Sequence, residues 1–138
     1  MRTSAYLLAG LLATSALWAT AALASVDKQA ASQSARQTRC GWFDNPSPQN
    51  ATLIVRDGTW TISVQGGAAA KGNWPRFSGK QWVKIGAGSY GYGCACMTVD
   101  VNAQTQQIQR IYSATAKSLS ACSSDKAIKG SEPFNPLK

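Results

Sequence analysis

Hydrophobic and polar residues alternate most clearly between Ala51 and Val64, where Asp57-Gly58 separates two runs rich in β-branched residues. Asp-Gly between alternating runs is a strong hairpin signal, because tight two-residue loops need positive φ. Taken as that loop, it sets Arg56 opposite Thr59, Val55 opposite Trp60, Leu53 opposite Ile62 and Ala51 opposite Val64. One face then carries Ala51, Leu53, Val55, Trp60, Ile62 and Val64. The other carries threonine, serine and Arg56, with Ile54 out of character. A one-residue slip would expose the tryptophan and bury the threonines, so the apolar face is well specified.

A second alternation follows Tyr90-Gly91-Tyr92-Gly93. Ala95, Met97, Val99 and Val101 share one face, and Cys94, Cys96, Thr98 and Asp100 share the other. Asn102 to Thr105 turns the chain. Gln106 to Ala114 returns with Ile108 and Ile111 out of period two, which predicts a bulge at Gln109-Arg110. Between the two hairpins lie a glycine- and alanine-rich loop from Gly66 to Pro75 and a short strand around Gln81 to Ile85. The expected fold is all-β: a small antiparallel sheet, curled or sandwiched.

The first segment follows a different grammar. Arg2 precedes an uncharged stretch from Tyr6 to Ala21, and Ala22-Leu23-Ala24 ends in small residues before Ser25. These are the three parts of a secretory signal peptide, so residues 1–24 are expected to be removed on export. The apolar run falls short of the roughly 20 residues that cross a bilayer, and no cysteine stands at the cleavage point for acylation. No transmembrane segment is expected after cleavage. Residues 25–38 are polar and aperiodic and read as a flexible extension. The domain is then 39–129, and 130–138, with Pro133 and Pro136, is an extended tail.

At 138 residues the chain holds one domain, and 44% hydrophobic against 14% charged residues excludes a disordered polyelectrolyte. There are 14 basic and 6 acidic residues, and loss of Arg2 with the leader leaves a net charge of +7. That balance favours an anionic envelope component or an acidic protein, although the basic residues are scattered rather than clustered. No nucleic acid is expected as a partner. The glycines at 86, 88, 91 and 93 precede no helix, so they form no phosphate cradle.

All four cysteines, Cys40, Cys94, Cys96 and Cys122, lie in the exported part, where an even count reads as two disulfides. Residues i and i+2 of a strand sit roughly 6–7 Å apart, too far for a disulfide between Cys94 and Cys96. One of them is expected to bond Cys40 and the other Cys122, and the segments around those two to cover that face of the central strand. Cys94, Cys96 and Met97 could instead offer soft sulfur to copper, but an oxidising compartment favours disulfides. No metal and no cofactor are expected.

The chain contains no histidine, which removes every imidazole-dependent scheme. Of its carboxylates, Asp57 belongs to the hairpin turn and Asp27 and Glu132 to the ends. Asp44, Asp100 and Asp125 remain, with nothing to bring any two together. Acid, base and nucleophile are not assembled, so the expected class is non-catalytic.

Cys40-Gly41-Trp42-Phe43-Asp44-Asn45-Pro46-Ser47-Pro48-Gln49-Asn50 and Tyr90-Gly91-Tyr92-Gly93-Cys94-Ala95-Cys96-Met97 are long, unusual motifs. Trp60-Thr61-Ile62, Gln65-Gly66-Gly67 and Gln81-Trp82-Val83 accompany them. Together they resemble the bacterial domain-of-unknown-function family 4087 from about Arg39 to Cys122. The resemblance implies a shared fold unit and carries no activity.

Two readings of the motifs compete. In one, Trp42, Phe43, Tyr90 and Tyr92 form an aromatic platform beside Asp44 and Asn45, aided by Lys84 or Arg39, suited to stacking on a ligand or partner. In the other, Trp42 or Phe43 plugs the core while Asp44-Asn45-Pro46 and Pro48 make turns. The expected function is a periplasmic or secreted binding domain. The alternative is a periplasmic inhibitor or immunity protein against a toxin or hydrolase.

Overall fold

A computed structural model describes residues 36–138; the expected signal peptide and residues 25–35 of the expected extension lie outside the described residues. Six strands form: β1 (Gln37–Ser47), β2 (Asn50–Val55), β3 (Gly58–Ser63), β4 (Trp82–Lys84), β5 (Gly91–Asn102) and β6 (Gln107–Lys117). One short helix, α1 (Leu119–Ser123), follows. No helix among the described residues is long and apolar enough to cross a membrane.

The strands make one sheet in the order β1-β2-β3-β6-β5-β4, and β1 pairs again with β5. The expected curled sheet therefore curls to closure. β1, β2, β3, β6 and β5 form a ring, and β4 extends β5 where β6 has ended. The first three ring strands run in sequence, and β5 returns by a long connection to lie beside β1, as in a Greek key. β3 and β6 close the ring in parallel. Five-stranded Greek-key barrels of this kind include the OB-folds, an architecture that hosts many functions.

The parallel seam is thin. β3 and β6 meet at one pair, Thr61 with Gln107. Beyond it the glycine-alanine loop supplies the missing wall. Ala70 N–H donates to the Ile62 carbonyl at 2.8 Å, Lys71 N–H to Gln109 at 3.0 Å, and Ile111 N–H to Lys71 at 2.7 Å. What read as a loop is in part a patch of sheet.

The interior is built by the two predicted alternations. Leu53, Ile62, Ala95, Met97, Val99 and Ile108 are fully buried there, with Phe43, Trp60 and Ile111 beside them. Removing that much apolar surface from water supplies the main favourable term, at about 25 cal/mol per Å². A second, smaller core lies outside the barrel. Trp42, Tyr92, Cys94, Cys122 and Ile128 form it, with Ile54, Val83, Ile85 and Leu119 against them. Ile54, out of character as a solvent-facing residue, belongs to this outer core.

The hairpin faces are as expected, but the register is not. Val55 pairs with Gly58, Ile54 with Thr59 and Leu53 with Trp60, so the loop is Arg56-Asp57. Gly58, at φ +128°, begins β3 rather than finishing the turn. The slip amounts to two residues, and a period of two keeps the side chains from Thr52 to Thr61 on their faces. Further along, Thr52 pairs with Thr61 but Ala51 with Ser63, which leaves Ile62 as an extra residue. That bulge turns Ser63 inward and leaves Val64 48% exposed, against the expectation for Val64.

β6 bulges at Gln109, as its pattern predicts, and again at Tyr112. It also runs three residues past Ala114. β1 is the largest departure. The strand begins at Gln37, two residues before the expected boundary, and passes straight through Asp44-Asn45-Pro46. The ladder with β2 is interrupted between Asp44 and Ser47, which is where a proline is tolerated.

Candidate functional site

The cysteine motifs meet because β1 and β5 are antiparallel partners from Gln37–Val99 to Asn45–Gly91. Cys40 stands directly opposite Cys96, and the two are bonded with Cα atoms 4.0 Å apart. Cys94 is bonded to Cys122 on α1. No free cysteine remains among the described residues. Each cysteine of the Cys94-Ala95-Cys96 pair thus has a distant partner, as strand geometry requires. The Cys40 segment does not cover the disulfide face, however. It lies within the same sheet, and only the segment around Cys122 crosses over it.

That segment is fastened at several points. The Trp42 indole N–H donates to the Ile128 carbonyl at 3.2 Å, and the Trp42 and Tyr92 rings meet edge to face at 5.6 Å. The Tyr92 hydroxyl donates to Glu132 at 2.5 Å, and Lys138 pairs with the same carboxylate. Burial, reinforced by the Glu132 bond, pushes the Tyr92 hydroxyl above its ordinary pKa. Lys138 and then Tyr92 hold Glu132 below the usual carboxylate value. The C-terminal tail is accordingly tied to the second tyrosine of the motif.

The expected aromatic platform does not exist as one surface. Trp42, Phe43 and Tyr92 are 1%, 2% and 0% exposed. Successive residues of a strand point to opposite faces, so Trp42 enters the outer core and Phe43 the barrel, where Trp74, Phe77 and Trp82 surround it. The glycines serve the same packing: a Cβ on Gly93 would stand 2.6 Å from the Gln81 carbonyl and from the Phe77 ring. Of the six candidate binding residues, Asp44, Asn45 and Tyr90 keep partial exposure. Asp44 faces Tyr92 across the ladder, and burial raises its carboxyl pKa.

Arg39 does not join them. Its guanidinium donates at 2.7 Å to both oxygens of Asp57 and stacks 3.8 Å above the Trp60 ring, while the Trp60 indole N–H also donates to Asp57. The Arg39 bonds hold the Asp57 carboxyl below its usual value. This trio locks the β2–β3 turn to β1 and accounts for the observed register.

A family model described as "Protein of unknown function (DUF4087)" matches residues 34–129. The chain belongs to the DUF4087 family. No curated protein and no solved structure matches it. In this DUF4087 domain, the recognised motifs therefore hold the two cores together. The open surface lies elsewhere. A cleft of 670 Å³ runs along β6 between Tyr112 and Ala116, walled by Asn73, Trp74 and Arg76. Nothing in the motif reading pointed to it. The available signal was the sequence Tyr-Ser-Ala-Thr-Ala-Lys at 112–117, a strand whose apolar face beyond Tyr112 carries only alanines, of which Ala114 packs on the core.

Proposed function

We propose that the mature protein is an exported, non-catalytic binding domain of the cell envelope whose partner is acidic. The observation that carries this reading is the surplus of unpaired positive charge on a rigid frame. Among the described residues two ion pairs form, Arg39–Asp57 and Lys138–Glu132. Lys71, Arg76, Lys80, Lys84, Arg110 and Lys117 stay exposed outside them. The leader and the two disulfides support an oxidising, extracytoplasmic location. The lack of histidine, and of a free thiol among the described residues, supports a non-catalytic role.

Capture from envelope extracts at low and at high salt tests the reading. An acidic partner should be retained at low salt and lost at high salt, because screening shortens with ionic strength. Equal recovery at both, or capture of neutral and basic components alone, would contradict it. A captured toxin or hydrolase that loses activity would assign the binding to inhibition.

A further inference from the structure

We propose that the cleft along β6 receives an extended acidic segment of a partner protein, which adds to the barrel as a further strand. The proposal rests on the acidic-partner reading above and gives it a site. β6 is bonded to β5 along its whole length. Its other edge is occupied only as far as Ile111, first by β3 at Gln107 and then by Lys71. From Tyr112 to Lys117 no strand lies on that edge among the described residues. In a strand, alternate residues direct N–H and C=O groups to each side, so this stretch offers unused ladder groups.

Gly72 makes the opening. Lys71 pairs with β6, and Gly72 follows so closely that a Cβ there would stand 2.2 Å from the Ile111 carbonyl. At φ +111° the chain then departs, and the next residues form the far wall instead of continuing the sheet. Trp74 in that wall is held at its inner side by Phe43, at 5.6 Å. Tyr112 at the mouth is fixed too: Arg36 stacks on its ring at 3.6 Å, and its hydroxyl donates to Asp100. The cleft is therefore preformed.

Proteins ordinarily guard a free edge with prolines, inward charges or a covering loop. Here the edge residues between Tyr112 and Lys117 are serine, alanine, threonine and alanine, which leave the backbone open to an incoming strand. The charge of the occupant follows from the walls. Arg76 lines the cleft, Lys71 lies at one end and Lys117 at the other, and no carboxylate is among the lining residues.

The test uses the mature protein and three capped pentapeptides: Glu-Val-Thr-Val-Glu, its alternately N-methylated form, and Lys-Val-Thr-Val-Lys. The acidic peptide should bind saturably, shift the NMR amide signals of Ser113 to Ala116 and slow the hydrogen exchange of those among them that face away from β5. The N-methylated and lysine peptides should bind about tenfold weaker or worse, as should the acidic peptide to a folded Arg76→Glu variant. Equal binding of the N-methylated peptide, shifts confined to other strands, or no binding would overturn the proposal. So would a concentration-dependent dimer that protects the same amides, since a second copy would then own the edge. If the salt-sensitive partner still binds Arg76→Glu while the peptide fails, the edge is refuted and the broader binding role stands.

Discussion

Gly41→Ala should leave no stably folded barrel. A Cβ at this position would sit 1.9 Å from the Ile54 carbonyl oxygen and 2.8 Å from Val55 Cγ1. The obstacle is backbone, so no rotamer change relieves it. β1 is bonded to β2 on one side and β5 on the other, and moving it breaks one of the two ladders that close the ring. The expected loss is about 4 kcal/mol or more, a large share of the roughly 5–15 kcal/mol that stabilises a domain. Thermal unfolding followed by circular dichroism measures it. Gly130→Ala, with nothing within 4 Å of the added carbon, is the control and should melt like wild type. A Gly41→Ala protein that melts with that control would refute the β1–β2 approach.

Trp42→Ala separates the structural from the binding reading of the family motif. The ring is 1% exposed, packs on Tyr92 and donates to Ile128, so its removal should cost about 3–5 kcal/mol in urea unfolding. A ring on an open platform would cost within about 0.5 kcal/mol. The C-terminal segment should also loosen beyond its disulfide at Cys122. Trypsin should then cut after Lys126 or Lys129 faster than in wild type. Unchanged stability and unchanged cleavage would return Trp42 to the surface.

The two alternations were legible because over most of its length each strand buries one face more deeply than the other. Leu53 and Val55 on one hairpin, and Met97 and Val99 on the other, mark the barrel interior directly. β1 was not legible for the converse reason. It is buried on both sides at Trp42 and Phe43, so period two disappears, and Asn45 and Pro46 imitate a turn. The hairpin register hid in Asp57, whose carboxylate is held chiefly by Arg39 on another strand, with Trp60 of its own hairpin beside it. Closure of the sheet depends on residues 69–71, which carry no strand pattern of their own. The cleft escaped notice because an unused edge is an absence of partners, and sequence periodicity reports faces, not edges.

The β1–β5 register is the joint on which the barrel, the outer core and the fastening of the C-terminal segment all depend. Stepwise partial reduction of the purified protein, with differential alkylation before and after, reads that register through the cysteines. Cys40 bonded to Cys96 and Cys94 bonded to Cys122 is the predicted result. Cys40 bonded to Cys94, with Cys96 joined to Cys122, would shift β1 against β5 and contradict the account.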